Sequence, residues 1–341
     1  MKIALDIMGG DNAPKEILRG AVMAAKELSV DIAAVGSVDV IERTAKENGL
    51  DISSLEIIPS SSVITMEDDP LSVVRDKKDS SMSVGLRYVA SREADAFVSA
   101  GNTGALLAGA TLLVRRIKGI KRPGIATVLP FACPVLLLDS GANLEITPQN
   151  AVMFGMMGAV YMQNMYSLPD VRVGLLNNGA EPHKGLPFHQ EAYAALSSSP
   201  LRFVGNVEPK IAPFDVCDVL VANGFEGNIM LKTIEGTSKF IMKAIKEMFY
   251  RDTVGKLGGL LMKSRMGGLK KQFDASEHGG APILGMSRPV IKAHGNSDAF
   301  AIKNAIRQAV QFVSSEINSK IEEQVPLFSQ KAESIPAEEQ K

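Results

Sequence analysis

The chain has 341 residues, 45% of them hydrophobic, and a net charge of −1 from 37 Lys plus Arg against 38 Asp plus Glu. That length and apolar content support a large core, as one α/β domain or two ordinary ones. Near-neutrality provides no global field for nucleic acid, and with no Trp and 5% aromatics there are no base-stacking platforms.

Lys2–Ile7 reads as a strand, Gly9-Gly10-Asp11 as its loop, and Pro14 opens a helix over Lys15–Leu28, where its missing N–H is harmless. Asp31–Val35 is the next strand, and Val38–Gly49 the next helix, with Gly49 at its C-cap. Glu56–Pro59 follows as a short strand. Asp68-Asp69-Pro70 starts a helix, Ser80–Ala90 forms another, and Ala105–Val114 is a tightly packed one. Thr147-Pro148 then caps a Met-rich helix, Gln149–Tyr166, apolar nearly all round and so buried in the core or against a second subunit. A long helical pattern runs from Glu235 to Phe273, and a last helix covers Asp298–Val325. Pro326–Lys341 is polar and acidic and reads as a disordered tail. This alternation predicts one three-layer α/β/α domain over residues 1–325 with a largely parallel sheet and a helical protrusion at about 235–275.

Cys133 and Cys217 each sit in apolar, strand-like stretches, so buried reduced thiols of a cytosolic protein are expected. Met1 leads directly into a strand pattern, which argues against a signal peptide. No apolar run reaches the ~18–20 residues of a bilayer span.

Five apolar runs end in loops of Gly, Asn and Ser. They are Ala96-Phe97-Val98 into Ser99–Gly104, Leu136–Leu138 into Asp139–Asn143, Val173–Leu176 into Asn177–Gly179, Val219–Val221 into Asn223–Asn228, and Val290–Lys292 into His294–Ser297. Ligand loops of parallel sheets lie at the carboxyl ends of the strands, so all five are expected on one edge. They offer backbone N–H groups and neutral amides, which suit an anion that does its own chemistry. The nucleotide fingerprints Gly-x-Gly-x-x-Gly and Gly-Lys-Ser/Thr are missing. Asp6, Asp11, Asp139 and Asp298 form no metal-site spacing, so caps and loops are their expected roles. No Ser-His-Asp or Cys-His nucleophile can be argued from the four histidines.

Lys184 follows one of these strands, as an anion-holding cation or a solvated loop residue. Asn228 is either a helix N-cap or an amide donor to a carbonyl becoming tetrahedral. The 251–273 segment is basic and amphipathic, with Lys263, Arg265, Lys270 and Lys271 beside Leu257, Leu260 and Leu261. Its glycines suggest an exposed tip for an anionic membrane surface or an acidic partner.

The motifs Asp6–Asp11, Ser99–Ala105, Asp139–Asn143, Gly224–Asn228 and Val290–Gly295, in this order over residues 1–325, closely resemble the PlsX family of bacterial phosphate acyltransferases. The resemblance implies a fold like the isocitrate and isopropylmalate dehydrogenases and phosphotransacetylase, and a homodimer. It implies transfer of a long acyl group from acyl carrier protein to inorganic phosphate for phospholipid synthesis, without a cofactor. It also implies peripheral contact with the inner face of the cell membrane, where a glycerol-3-phosphate acyltransferase takes the product. By analogy Lys184 and Asn228 are the catalytic candidates. Gly9, Gly10, Asp11, Ser99, Gly101, Asn102, Thr103, Gly104, Asp139, Gly141, Asn143, Asn223, Gly224, Gly227, His294 and Gly295 shape the substrate and phosphate site. Asn12 stands where many members carry His and Asn223 where Asp is common, so neither a histidine nor an acid role is carried over. Two other readings are a phosphotransacetylase- or dehydrogenase-like enzyme on a soluble substrate, and a non-catalytic peripheral membrane protein binding acyl groups or phosphate.

Overall fold

In a computed structural model, residues 1–253, 255–262, 268 and 279–332 are described. The first half alternates as the sequence predicts: β1 (Lys2–Asp6), α1 (Lys15–Leu28), β2 (Asp31–Gly36), α2 (Val38–Asn48) and β3 (Leu55–Pro59). After a 3-10 turn at Pro70–Val73 come α3 (Ser81–Ala90), β4 (Ala96–Ser99) and α4 (Thr103–Gly109). The second half contains β5 (Gly124–Leu129), β6 (Val135–Leu138), α5 (Pro148–Met165), β7 (Arg172–Leu176), α6 (Pro187–Ser197), β8 (Arg202–Val207), β9 (Val219–Val221) and α7 (Gly224–Tyr250). The chain then returns to the first half through β10 (Ala281–Leu284), β11 (Val290–Lys292), α8 (Ala299–Ser314) and α9 (Ile317–Ala332).

The eleven strands form one sheet in the order β3-β2-β1-β4-β11-β10-β5-β6-β9-β7-β8. β3, β2, β1, β4 and β11 are mutually parallel, as are β6, β9, β7 and β8. Between the two groups, β11–β10, β10–β5 and β5–β6 are all antiparallel, and three reversals leave the groups pointing in opposite directions. The expectation of five loops on one edge is therefore corrected. The loops after β4 and β11 leave one end of the sheet, and those after β6, β7 and β9 leave the other.

Helices cover both faces. α1 and α8 pack on Ile3, Leu5, Val98 and Ile291, while α3 and α4 pack on Ala4, Phe97 and Val290 from the opposite side. In the second half, α5, α6 and α9 cover Leu136, Leu138, Val173 and Val219, and the start of α7 covers Leu137 and Leu220 through Met230 and Leu231. Alternate residues along each strand thus feed opposite layers, as strand geometry requires. The α1–α8 contact depends on Gly20, where a Cβ would lie 2.6 Å from that of Ile302. α5 is buried along most of its length inside this one chain, which settles its apolar character as core.

Several boundaries differ from expectation. Asp68-Asp69-Pro70 leads only into the 3-10 turn, with Asp69 accepting from the Leu71 N–H at 2.8 Å. The helix expected over Ala105–Val114 starts at Thr103 and changes to a π-helical turn at Ala110–Val114, ended by Arg115 at φ 70. The expected last helix is two, broken where Glu316 takes φ 54. α9 continues through Pro326 to Ala332, so that part of the expected tail is helical; 333–341 lie outside the described residues. Cys217 is buried and its thiol is pushed up to about 12 by that burial. Cys133, expected in the core, is exposed in the turn between β5 and β6, where Pro130 and Pro134 bracket the reversal.

Candidate active site

At the carboxyl ends of β6, β7 and β9, three loops are bound together by their own polar groups. Asp139 is fully buried, and its carboxylate accepts from the N–H groups of Ile125 (3.0 Å), Gly141 (3.0 Å), Ala142 (2.9 Å) and Asn143 (2.7 Å), and from the Asn143 amide (2.9 Å). Burial pushes its pKa up, and these donors oppose the shift. The Asn143 carbonyl accepts from Gly224 N–H at 2.6 Å, joining this loop to α7. The approach admits only glycines: a Cβ on Gly227 would lie 2.0 Å from the Asp139 carbonyl oxygen, and one on Gly224 2.6 Å from that of Asn143. Gly141, at φ 146, lies beneath Asn228. Asn223 is the N-cap of α7, its side-chain oxygen accepting from Glu226 N–H at 2.8 Å. The alternative that Asn228 caps the helix is thereby removed, for it lies in the second turn, exposed.

The Lys184 loop is anchored in the same way. Asn177 is buried and donates to the Lys184 carbonyl at 3.2 Å, and Asn206 donates to the Glu181 carbonyl at 2.8 Å. The loop reverses at Gly185, φ +85, packed against His189. His189, which has no counterpart in the sequence-based set, lies 3.0 Å from Glu226 on α7. In this network the Lys184 and Asn228 side chains make no hydrogen bond or ion pair with any described residue, while Asp139, Asn143, Asn177, His189 and Asn223 are all engaged.

A second cluster lies at the carboxyl ends of β1, β4 and β11. Buried Asp6 accepts from the Ser99 hydroxyl at 2.7 Å and from Met8 N–H at 3.2 Å, and Ser99 accepts from Gly101 N–H at 3.0 Å. Burial raises the Asp6 pKa. Gly9 is pressed against Asp6 and Gly101, while Gly10 takes φ +112 so that Asp11 N–H donates to the Gly295 carbonyl at 2.7 Å. Asn102 caps α4 through Ala105 N–H and ties it to the Thr65 carbonyl; Thr103 and Gly104 form its first turn. Lys292 projects here, its ammonium held down to about 8 by burial, with Asp11 and Asp6 opposing. His294 is lowered by burial too, against Glu235 of α7 at 4.0 Å. α7 thus starts in the first cluster at Gly224 and reaches the second at Glu235. Among the described residues no group of three or more His, Cys, Asp or Glu is arranged to hold a metal ion.

Comparison with known proteins decides the family. The profile of the family described as "Fatty acid synthesis protein" matches residues 1–320. A phosphate acyltransferase of Thermoanaerobacter pseudethanolicus is 46% identical over 330 residues, covering 95% of this chain and 97% of its own. This chain belongs to that family. A second phosphate acyltransferase, from Clostridioides difficile, is 42% identical over 332 residues, covering 97% of this chain and 98% of its own. The family member is accordingly an acyltransferase of the PlsX type.

Solved structures place the fold. A phosphotransacetylase from Streptococcus pyogenes superposes with a TM-score of 0.61 at 16% identity, covering 94% of both chains. A 4-hydroxythreonine-4-phosphate dehydrogenase from Klebsiella pneumoniae gives 0.53 at 14% identity, covering 92% of this chain and 99% of its own. At such identities the likeness is one of fold, the three-layer α/β/α arrangement described above.

The expected contact residues fall in two groups. Leu257, Leu260 and Leu261 are exposed on a helical stretch, 255–262, that turns back so that Gly259 faces Phe249. Lys263, Arg265, Lys270 and Lys271 lie outside the described residues. Two features escaped the sequence reading. Lys292 lies within the Val290–Gly295 motif but reads there as the end of an apolar strand, and His189 and Glu226 are 37 residues apart with no spacing that relates them.

Proposed function

We propose that this family member transfers a long acyl group from the thioester of acyl carrier protein to inorganic phosphate, giving acyl phosphate and free carrier protein for phospholipid synthesis. A phosphate oxygen bonds to the thioester carbonyl carbon, and the C–S bond breaks as its electron pair leaves with sulfur. The thiolate takes its proton from water. Phosphate is already anionic at neutral pH, so no general base is needed. A thiol of pKa ~8.5 leaves without strong acid assistance. What the protein must supply is placement and stabilisation of the carbonyl oxygen as it gains charge.

The observation that carries this reading is the division of labour in the loops. Many of their polar side chains are occupied in building the backbone, whereas among the described residues the Lys184 ammonium and the Asn228 amide, like the exposed Asn178 amide, have no hydrogen-bond or ion-pair partner. Lys184 holds phosphate or the developing oxyanion, and the Asn228 amide donates to the carbonyl oxygen. Asp139, Asn143, Asn223, Gly141, Gly224 and Gly227 shape the cradle from behind. The cluster of Gly9, Gly10, Asp11, Ser99–Gly104, His294 and Gly295, at the other end of the α7 segment, contributes to substrate binding. Exposed Phe240, Ile241, Met248 and Tyr250 on α7 support a homodimer. Leu257, Leu260 and Leu261 support peripheral contact with the inner face of the cell membrane, where a membrane glycerol-3-phosphate acyltransferase consumes the product. Among the described residues no helix is long and apolar enough to cross a membrane.

The test mixes pure protein, palmitoyl-acyl carrier protein and phosphate and follows free carrier thiol and hydroxylamine-trappable acyl phosphate. Product is expected only with phosphate present. Lys184→Ala and Asn228→Ala are each expected to lower kcat about 10²–10³-fold, the worth of one preorganised donor, with unchanged melting temperature. Turnover in phosphate-free buffer, or an acyl group covalently held by a side chain, overturns the reading.

A further inference from the structure

His189 is the third residue of α6, and its side chain is 6% exposed. Its Nδ1 accepts from the backbone N–H of Leu186 at 3.1 Å. A backbone N–H only donates, so Nδ1 is unprotonated and the ring proton sits on Nε2. That nitrogen, 3.0 Å from Glu226 Oε2, therefore donates to the carboxylate. Both nitrogens are occupied, so the ring is not a general base for a substrate.

Its position gives it a different role. Leu186 is two residues beyond Lys184, and Glu226 is two residues before Asn228. Glu226 is itself fixed, its N–H held by the Asn223 cap. Among the described residues, no other hydrogen bond joins the Lys184 loop to the first turns of α7. The packing leaves the ring little freedom: a Cβ on Gly185 would lie 2.6 Å from that of His189, and Phe188 stacks edge-on with ring centroids 5.2 Å apart.

We propose that His189, buried, and Glu226, half-buried, form a strut that fixes the separation of Lys184 and Asn228, and that they are positioning residues for acyl transfer. The proposal rests on the reading of Lys184 and Asn228 given above. Its logic is that two donors on different loops stabilise one oxyanion only if their spacing is set, and an error of about 1 Å lowers the rate on the order of 10²-fold.

Amide variants separate the ring's two bonds. His189→Gln places its amide nitrogen near Nε2, keeping donation to Glu226 and giving up the Leu186 bond. His189→Asn keeps an acceptor near Nδ1 but falls short of Glu226. Glu226→Gln still accepts, and Glu226→Ala does not. Steady-state kinetics with palmitoyl-acyl carrier protein and phosphate are measured for all four, with melting temperature as the check on folding. His189→Asn and Glu226→Ala are expected to lose about 10–100-fold in kcat while KM for phosphate moves less than about threefold. His189→Gln and Glu226→Gln are expected to stay within about fivefold of wild type on the same grounds. Equal activity of the Asn and Gln variants at His189, or wild-type kcat in folded Glu226→Ala, overturns the strut. Losses that merely track melting temperature across the four variants overturn it as well. Lys184→Ala and Asn228→Ala run alongside. If they lose turnover while Glu226→Ala does not, the strut alone fails; if they retain it, the site assignment fails and the strut with it.

Discussion

Asp139 shows how a residue can build the proposed site from behind, its carboxylate spent on the loop itself. Its carboxylate is enclosed and receives five N–H donors, four of them from backbone. Removing it strands those donors, each at about 1–3 kcal/mol when buried, although neighbouring losses do not simply add. Asp139→Ala is therefore expected to lower unfolding free energy by at least about 3 kcal/mol in urea titration, with activity falling because the loop beneath Asn228 opens. A folded Asp139→Ala protein of wild-type stability with lost activity would instead show that the carboxylate meets substrate. Asp6 and Ser99 follow the same pattern at the other cluster. Sequence reasoning finds such residues because Asp, Ser and Asn are concentrated after apolar runs. It does not tell a loop-building carboxylate from a ligand-binding one, since that depends on which N–H groups converge on it in three dimensions.

Legibility at the scale of elements follows how much of each element's stabilisation is local. α1 and α2 carry an apolar stripe, a Pro at the start or a Gly at the end, and their limits are read within a residue. β5, β8 and β10 are not read at all. β8 is half exposed along its first four residues, and β10 contains Pro282, so neither shows the continuous apolar run that marks β6 or β7. Asn228 is misread as a candidate cap because two Asn residues, 223 and 228, both precede apolar helical sequence, and only backbone geometry chooses between them. α9 is the clearest failure. Its polar composition after Pro326 suggests disorder, yet Ile317, Ile321, Val325 and Phe328 form one buried stripe against the α5 side of the core. Phe328 is 5% exposed, beyond the point where the fold was expected to end. Phe328→Ala is expected to destabilise by about 3 kcal/mol, typical of an aromatic truncated in a packed core. A midpoint in urea unchanged from wild type would mean that α9 beyond Pro326 contributes nothing to the fold.

At the scale of the whole molecule, the two opposed parallel groups and the helix between them separate three tasks. The loops proposed as catalytic sit at the start of α7, a second polar cluster meets it at Glu235, and after Leu231 the helix has no buried residue. Between Asn228 and Tyr250 lies roughly 30 Å of helix at 1.5 Å per residue. Beyond it, Leu257, Leu260 and Leu261 are 62%, 68% and 77% exposed, on a stretch that folds back against Phe249. Large apolar side chains gathered at the far end of a helix and unused by the core stay exposed only at a cost, which immersion in a lipid surface removes. Fully burying a Leu is worth about 1.5–3 kcal/mol. Replacing all three with Ser is thus expected to weaken binding to anionic vesicles by at least about a hundredfold in sedimentation. The distance argues that the same triple variant keeps wild-type kcat on palmitoyl-acyl carrier protein without vesicles, because among the described residues no part of the Lys184–Asn228 network extends past the second turn of α7. Unchanged vesicle binding would remove these leucines as the anchor. Loss of turnover without vesicles would show instead that the far end of the helix and the acyl site are one structure.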